Sequence, residues 1–178
     1  NPREAAADLI SLTKTLRSSG TVFLNAPALY PLAPPKIYYV GHSLGGIVGG
    51  TLLGVNSDIK AAALANPGGG IAKLLDASVS FGPVIAAGLR GNGVIEGTDT
   101  YETFLRFAQT LVDAGDPINY ANSVTSKHPL LLLEVCGDTV VPNAALAPGG
   151  SIPQTNGCTT PLLEDTVTIS SFLAGTDP

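Results

Sequence analysis

A serine flanked by glycines follows directly on an apolar run, and this pattern constrains the fold more than any other feature. The run is Ile37–Val40, and the next six residues read Gly-His-Ser-Leu-Gly-Gly. A Gly-x-Ser-x-Gly pattern in this setting is typical of a strand, a sharp turn and a helix, with the serine exposed on a strained turn. Gly41 and Gly45 lack a Cβ atom, so strand and helix can approach closely there. The pattern predicts Ser43 as a nucleophile for acyl transfer.

Composition fits one globular domain. The chain has 178 residues, of which 44% are hydrophobic and 13% are charged, enough apolar material for a core of ordinary size. The formal net charge of −5 argues against nucleic acid as a partner, and no basic cluster would attract anionic lipid headgroups. No apolar stretch reaches the roughly 18 residues that a membrane-spanning helix needs.

The N-terminal residues predict an amphipathic helix over 1–19. Asn1 can cap it, Pro2 suits its first position, and Gly20 can end it. Three leucines fall near one face and are expected to pack inward, namely Leu9, Leu12 and Leu16. Residues 25–35 contain four prolines and predict a connecting loop.

The rest of the chain alternates strand and helix patterns, which predicts an α/β fold with a mainly parallel sheet and flanking helices. Strand 59–66 is apolar throughout its centre, so we expect both of its faces to be buried. Residues 71–126 form a helical insertion. In chain order the predicted elements are strand 36–41, helix 44–53, strand 59–66, helices 71–89 and 100–114, strand 129–136 and a short strand at 166–170.

An acidic residue follows the most apolar strand, 129–136. Functional groups gather at the carboxyl ends of strands in α/β proteins, and a serine followed by an acid is the chain order of one known type of catalytic triad. Asp138 is therefore predicted as the catalytic acid. The alternative is an aspartate that only closes an Asx turn.

Other groups near the serine are predicted to assist it. The N–H of Leu44, at the start of a helix, would donate one oxyanion-hole hydrogen bond. The turn 66–70 either lines an acyl pocket or is a plain turn, and Asp116, before a proline, looks like a helix stop. No metal-ligand spacing, phosphate-binding loop or dinucleotide fingerprint is present, so no metal or cofactor is predicted.

Neither histidine of the sequence suits the role of general base. His42 adjoins the nucleophile, and on a tight turn its side chain points away from Ser43, so a packed or hydrogen-bonded neighbour is expected. His128 precedes strand 129–136 and lies about 20–25 Å from Asp138, at the opposite edge of the sheet. A general base must lie within about 3 Å of its partner.

Four motifs together resemble bacterial extracellular lipases, and the virulence-factor-type lipase/phospholipase family is the most similar group. The motifs are residues 41–50, 66–69, 116–120 and 137–143. The resemblance implies a partial α/β-hydrolase fold over 1–178, in which the insertion 71–126 is a helical cap or lid over Ser43. It also implies a secreted, extracellular bacterial protein.

Members of that family begin upstream with strands that supply a second oxyanion donor, and they end downstream with a histidine. The resemblance therefore implies an internal fragment of a larger lipase, whose remainder supplies the base. Absence of the upstream strands would leave strand 36–41 as an uncovered apolar edge, which predicts self-association. The alternative is that Thr21–Leu24 folds back as a substitute strand and leaves a monomer.

The expected function is hydrolysis of carboxylic esters of lipids through a serine nucleophile. A non-catalytic lipid-binding or assembly module with the same fold is the alternative from a different class, and a thioesterase or peptidase is a third hypothesis. Secretion, as the resemblance implies it, favours a disulfide between Cys136 and Cys158. The alternative is two unrelated thiols.

Overall fold

The computed structural model describes residues 1–18, 36–133, 135 and 138–142. In these ranges three parallel strands form one sheet in the order β1-β2-β3, and six α-helices flank it. The predicted α/β organisation with a parallel sheet is thus confirmed. The elements are α1 Pro2–Ser18, β1 Ile37–His42, α2 Leu44–Val55, β2 Ile59–Ala65, α3 Ile71–Ala77, α4 Gly82–Arg90, α5 Asp99–Val112, 3₁₀ turns Asp113–Gly115 and Pro117–Tyr120, α6 Ala121–Lys127 and β3 Leu130–Leu133.

Several predictions lie outside the described residues. They are the loop 25–35, the substitute strand Thr21–Leu24, the short strand 166–170 and the disulfide between Cys136 and Cys158.

The strand ends line up at one edge of the sheet. His42 pairs with Ala65, and Ala65 pairs in turn with Leu133. Because all three strands are parallel, the residues that follow β1, β2 and β3 meet at this carboxyl edge. The edge is where the candidate site lies.

Helix α1 begins as its sequence predicts, and of the three leucines expected to pack inward, Leu9 and Leu16 are partly buried whereas Leu12 is exposed. The side chain of Asn1 accepts a hydrogen bond from the N–H of Arg3 at 3.1 Å, and Pro2 is the first helical residue. The inward stripe follows i, i+3, i+4, i+7 spacing, and Leu12 lies outside it with about half of its surface exposed. The stripe consists of Ala6, Leu9, Ile10 and Thr13.

Helix α2 forms the centre of the core, which explains its many glycines. Leu52 and Leu53 are fully buried against the sheet and α6. A Cβ atom at Gly50 would lie 2.6 Å from the ring of Pro117, and one at Gly54 would collide with Tyr120. The glycines therefore let the turn after α5 pack directly on α2, which is buried from Gly46 to Gly54.

In the described part of the chain, helices cover one face of the sheet only. Ala62 and Leu64 of β2 are buried beneath α2, whereas Ala61, Ala63 and Ala65 are partly exposed on the other face. The prediction that β2 is buried on both faces is therefore wrong for these residues. The neighbouring strands agree, because Val40 of β1 and Leu131 of β3 are exposed on the same side.

The helical insertion divides into two parts. The predicted helix 71–89 is interrupted at 78–81 and restarts as α4, because Pro83 suits a helix start and would break a continuous helix. The first part of the insertion has a small core of its own, Ala86, Tyr101 and Leu105. The last part, α6, contributes Ala121 and Val124 to the main core.

None of the described helices is long and apolar enough to cross a membrane alone; α3 and α4 meet that requirement only as a pair bent by 96°.

Candidate active site

Ser43 lies on a strained turn between β1 and α2. Its φ of 52° and ψ of −120° match the first central position of a type II′ turn, a conformation that glycine normally supplies. Its backbone N–H donates to the carbonyl of Ala65 at 2.9 Å, and its own carbonyl accepts from Gly46 and Ile47 at the start of α2. Strain of this kind costs on the order of 1–3 kcal/mol and clusters at functional sites.

The close approach of strand and helix depends on one of the two predicted glycines. A Cβ atom at Gly41 would collide with the carbonyl of Gly45, a backbone atom that cannot swing away. At Gly45 the nearest atom to such a Cβ would be the hydroxyl of Tyr39, 3.9 Å away. The expected constraint therefore holds for Gly41, while Gly45 contributes its carbonyl, which accepts a 2.6 Å hydrogen bond from Tyr39.

The predicted oxyanion donor is the first residue of α2. The first N–H groups of a helix have no partner inside the helix, and the positive end of the helix dipole lies there. In the ranges that the structure describes, no hydrogen bond engages the N–H of Leu44. This donor therefore remains available beside Ser43.

Asp138 lies beyond β3 with its carboxylate held from two sides. One oxygen, Oδ1, accepts from the N–H groups of Val140 at 2.8 Å and Val141 at 3.0 Å. The other, Oδ2, accepts from the side-chain amide of Asn66 at 2.6 Å. Asp138 thus closes an Asx turn, as the alternative interpretation has it, and it also reaches across to β2.

The environment of Asp138 favours its ionised form. Burial by itself would raise the pKa of this carboxyl group. The hydrogen bonds from Val140, Val141 and Asn66, together with the nearby charge of His42, outweigh burial and hold the pKa below its ordinary value. A carboxylate that stays charged can orient and stabilise a protonated base.

The sequence places Asn66 in a turn that either lines an acyl pocket or is a plain turn, and it predicts no partner for its side chain. The structure brings its amide directly onto Asp138, and its φ of 50° is one of two positive values among the described non-glycine residues. One sequence feature pointed to it: a polar residue directly after a buried strand, at the edge where Ser43 and Asp138 also end their strands.

The segment 138–142 is also held by the turn between α3 and α4. The hydroxyl of Ser78 and the N–H of Ser80 both donate to the carbonyl of Thr139, at 3.1 and 3.0 Å. Val141 is buried close to Gly68. The helical insertion thus contacts the segment that carries Asp138, the predicted acid.

The two histidines lie at opposite ends of the sheet. His128 is buried near the start of β2, where its ring nitrogens contact the carbonyls of Ile59 at 3.1 Å and Leu53 at 2.8 Å. Both nitrogens are occupied, at the edge away from Ser43, as predicted. His42 is exposed at the site and is close enough to Asp138 to lower its pKa. No side-chain hydrogen bond engages His42 among the described residues, so the expectation of a packed or hydrogen-bonded neighbour is wrong.

Asp116 has a larger structural role than the predicted helix stop. It is fully buried, and its carboxylate accepts four hydrogen bonds. The donors are the N–H groups of Gly70, Ile71 and Ile118 and the side-chain amide of Gln109. Asp116 therefore joins the turn after β2, the start of α3 and the end of α5, and its oxygens are fully engaged by structural partners.

Comparisons of the sequence with protein-family models and curated proteins, and of the structure with solved structures, gave no match.

Proposed function

We propose that this chain carries the nucleophile, the acid and one oxyanion donor of a serine hydrolase that cleaves carboxylic esters of lipids, built on an α/β-hydrolase fold. The observation that carries the proposal is the backbone of Ser43. Ser43 has φ of 52° and ψ of −120° and is partly exposed between a parallel strand and a glycine-rich helix, which is the geometry that a nucleophile elbow needs to present its hydroxyl.

The proposed chemistry divides among three groups. A base takes the proton of Ser43 Oγ as this oxygen bonds to the acyl carbon, and the oxyanion accepts the N–H of Leu44. The carbon–oxygen bond to the alcohol then breaks, and the base returns the proton to the departing alcohol. Water repeats the sequence on the acyl-enzyme and releases the acid. Asp138 orients the base and stabilises its protonated form.

The base in this proposal is a histidine outside these 178 residues. His128 cannot serve, because its nitrogens are bound to Leu53 and Ile59 at the other edge of the sheet. His42 lies at the correct edge, but it precedes Ser43 directly in β1. In the described part of the chain no hydrogen bond joins the imidazole of His42, the last residue of β1, to the side chain of Ser43, which begins the turn.

A lipid substrate is supported by exposed apolar side chains next to Ser43 and on the helical insertion. Leu44, next to the nucleophile, has 65% of its surface exposed, and the helical insertion adds an exposed apolar stripe on α5. The stripe consists of Phe104, Phe107 and Leu111, which follow i, i+3, i+7 spacing. Such surface favours a lipid ester over the polar substrates of a peptidase.

Labelling of Ser43 with a fluorophosphonate tests the proposal. Free imidazole in solution can stand in for the base, since it can accept the serine proton. We expect slow labelling and little ester turnover alone, and clear acceleration by imidazole at Ser43, located by mass spectrometry. Ser43→Ala should abolish the labelling, and Ser57→Ala, at an exposed serine after α2, should leave it unchanged.

The alternative function is a non-catalytic lipid-binding or assembly module that keeps the fold. It predicts that Ser43 reacts no faster than Ser57, with or without imidazole. That result would contradict the hydrolase proposal.

A further inference from the structure

The backbone at Ala65 and Asn66 connects the two strands that lead to the predicted catalytic residues. Asn66 follows β2 directly. The carbonyl of Ala65, the last residue of β2, accepts a hydrogen bond from the N–H of Ser43 at 2.9 Å. The N–H of Asn66 donates to the carbonyl of Leu133, at the end of β3, at 2.8 Å. Asn66 therefore lies between the strand that carries the serine and the strand that leads to Asp138.

The side chain of Asn66 is fixed in one orientation by chemistry. Its Nδ2 donates to Oδ2 of Asp138 at 2.6 Å, and the flipped amide would instead set an oxygen against the carboxylate. In this orientation Oδ1 of Asn66 is buried and has no hydrogen-bond partner in the described part of the chain. A buried acceptor without a partner is unfavourable, as is the positive φ of this residue.

The carboxylate of Asp138 has one acceptor position left. An ionised carboxylate offers about four lone pairs. The N–H groups of Val140 and Val141 occupy both positions on Oδ1, and Asn66 occupies one on Oδ2. Among the described residues no other donor contacts the carboxylate, so a single lone pair on Oδ2 remains for a further donor.

We propose that Asn66 is a positioning residue, whose amide fixes the carboxylate of Asp138 so that Oδ2 can accept the N–H of the catalytic base. This inference rests on the proposed function, because it assigns the acid its partner in the same site. The lowered pKa of Asp138, to which this hydrogen bond contributes, supports it.

A purely structural role for Asn66 makes a different prediction. If Asn66 served only the backbone turn at φ of 50°, glycine would serve at least as well, because it adopts positive φ without strain. Asn66→Gly therefore keeps the turn and removes the amide. Asn66→Asp keeps the shape of the side chain and replaces the donor with a second carboxylate.

The experiment measures two quantities in the full chain and in both variants. The first is the titration of the Asp138 carboxyl group by NMR. The second is the pH profile of fluorophosphonate labelling at Ser43 with imidazole present. The control is Asn122→Asp, which adds the same charge at an exposed position of α6. Thermal unfolding establishes that each variant is folded.

We expect the pKa of Asp138 to rise in Asn66→Gly and further in Asn66→Asp, since a lost donor and an added like charge both disfavour the carboxylate. Labelling of Ser43 should slow by roughly tenfold, equivalent to about 1.4 kcal/mol in the barrier. The acid limb of the pH profile of labelling should move to higher pH. Asn122→Asp should change neither the titration of Asp138 nor the labelling of Ser43.

Two results would overturn the inference: an unchanged titration of Asp138 in folded Asn66→Gly, or labelling at the parent rate and pH profile in that variant. Failure of the proposed function itself has another signature, because Ser43 of the parent chain would then not respond to imidazole. The NMR titration would still decide whether Asn66 holds Asp138.

Discussion

The backbone N–H of Ser43 donates a 2.9 Å hydrogen bond to the carbonyl oxygen of Ala65. This bond continues the ladder between β1 and β2 by one step past the end of β1, so the strained serine is fixed to the neighbouring strand. The next residue along β2 is Asn66, which binds Asp138. Ser43 and Asp138 are thus linked through Ala65, the last residue of the central strand, and Asn66, which follows it, so a change at this edge should affect both.

Gly41→Ala should destabilise the fold strongly. The new methyl group would collide with the carbonyl of Gly45, and we expect a loss of more than about 2 kcal/mol in the free energy of unfolding. Gly88 is the matched control, because a Cβ atom there meets nothing within 4 Å. Gly88→Ala in exposed α4 should raise stability by about 0.5–1 kcal/mol. Urea unfolding measures the free energy of unfolding of both variants. Equal changes in Gly41→Ala and Gly88→Ala would contradict the close approach of strand and helix at Gly41.

The lowered pKa of Asp138 predicts acid sensitivity. Its folded-state pKa lies below the ordinary value of 3.8, so the folded state binds this proton more weakly than the unfolded chain does. The associated stability is present above the unfolded pKa and is lost as pH falls through the folded one. Asp138→Asn should therefore reduce stability more at about pH 6 than at about pH 2.5. An equal loss of stability at both pH values would show that the charge of the carboxylate does not contribute to folding stability.

His42→Gln should separate an electrostatic role from a catalytic one. Its charge lowers the pKa of Asp138, so the variant should show a raised pKa of that carboxyl group by NMR. Labelling of Ser43 with imidazole should persist, because the proposal assigns the base elsewhere. If Ser43 of the parent chain is labelled without imidazole and this labelling is lost in His42→Gln, His42 itself is the base.

The sequence predicted the framework of this edge because local rules govern it. An apolar strand followed by Gly-x-Ser-x-Gly predicts the turn at Ser43. Because the strands are parallel, Asp138 comes to the same carboxyl edge of the sheet. The rejection of His128 followed from the same topology, and the structure buries that ring at the far edge.

Contacts that join distant segments could not be predicted in the same way. The bond from Asn66 to Asp138 spans 72 residues, and the bonds to Asp116 from Gly70 and Ile71 span 46 and 45 residues. Which face of β2 is covered depends on where helices pack, and an alanine-rich strand suits a covered or an open face equally. Such features depend on tertiary packing rather than on periodicity.

The first part of the helical insertion should open before the sheet does. Helices α4 and α5 share a small core of three buried residues, separate from the main core beneath α2. Few buried contacts mean low local stability, so amides of α4 and α5 should exchange with solvent well before those of β2 and α2. Hydrogen exchange followed by mass spectrometry measures this. Equal protection in both regions would indicate a single cooperative core and argue against a mobile cap.

Finally, we expect the chain to associate through strand β1. In the described sheet β1 is an edge strand, and Val40 and Tyr38 have 81% and 62% of their surfaces exposed. An antiparallel two-fold pairing centred on Tyr39 would set Tyr38 of each copy opposite Val40 of the other, an aromatic and β-branched pair that stabilises sheets.

Light scattering at micromolar concentration should then give about 36 kDa, twice the chain mass of 18.0 kDa. Val40→Lys should restore the monomer, because a lysine on an edge strand opposes pairing. Leu111→Lys is the matched control, since it removes an equally exposed apolar residue from α5, away from the edge. A parent mass near 18.0 kDa would refute the association, and equal dissociation by both variants would point to apolar contact in general instead of pairing through β1.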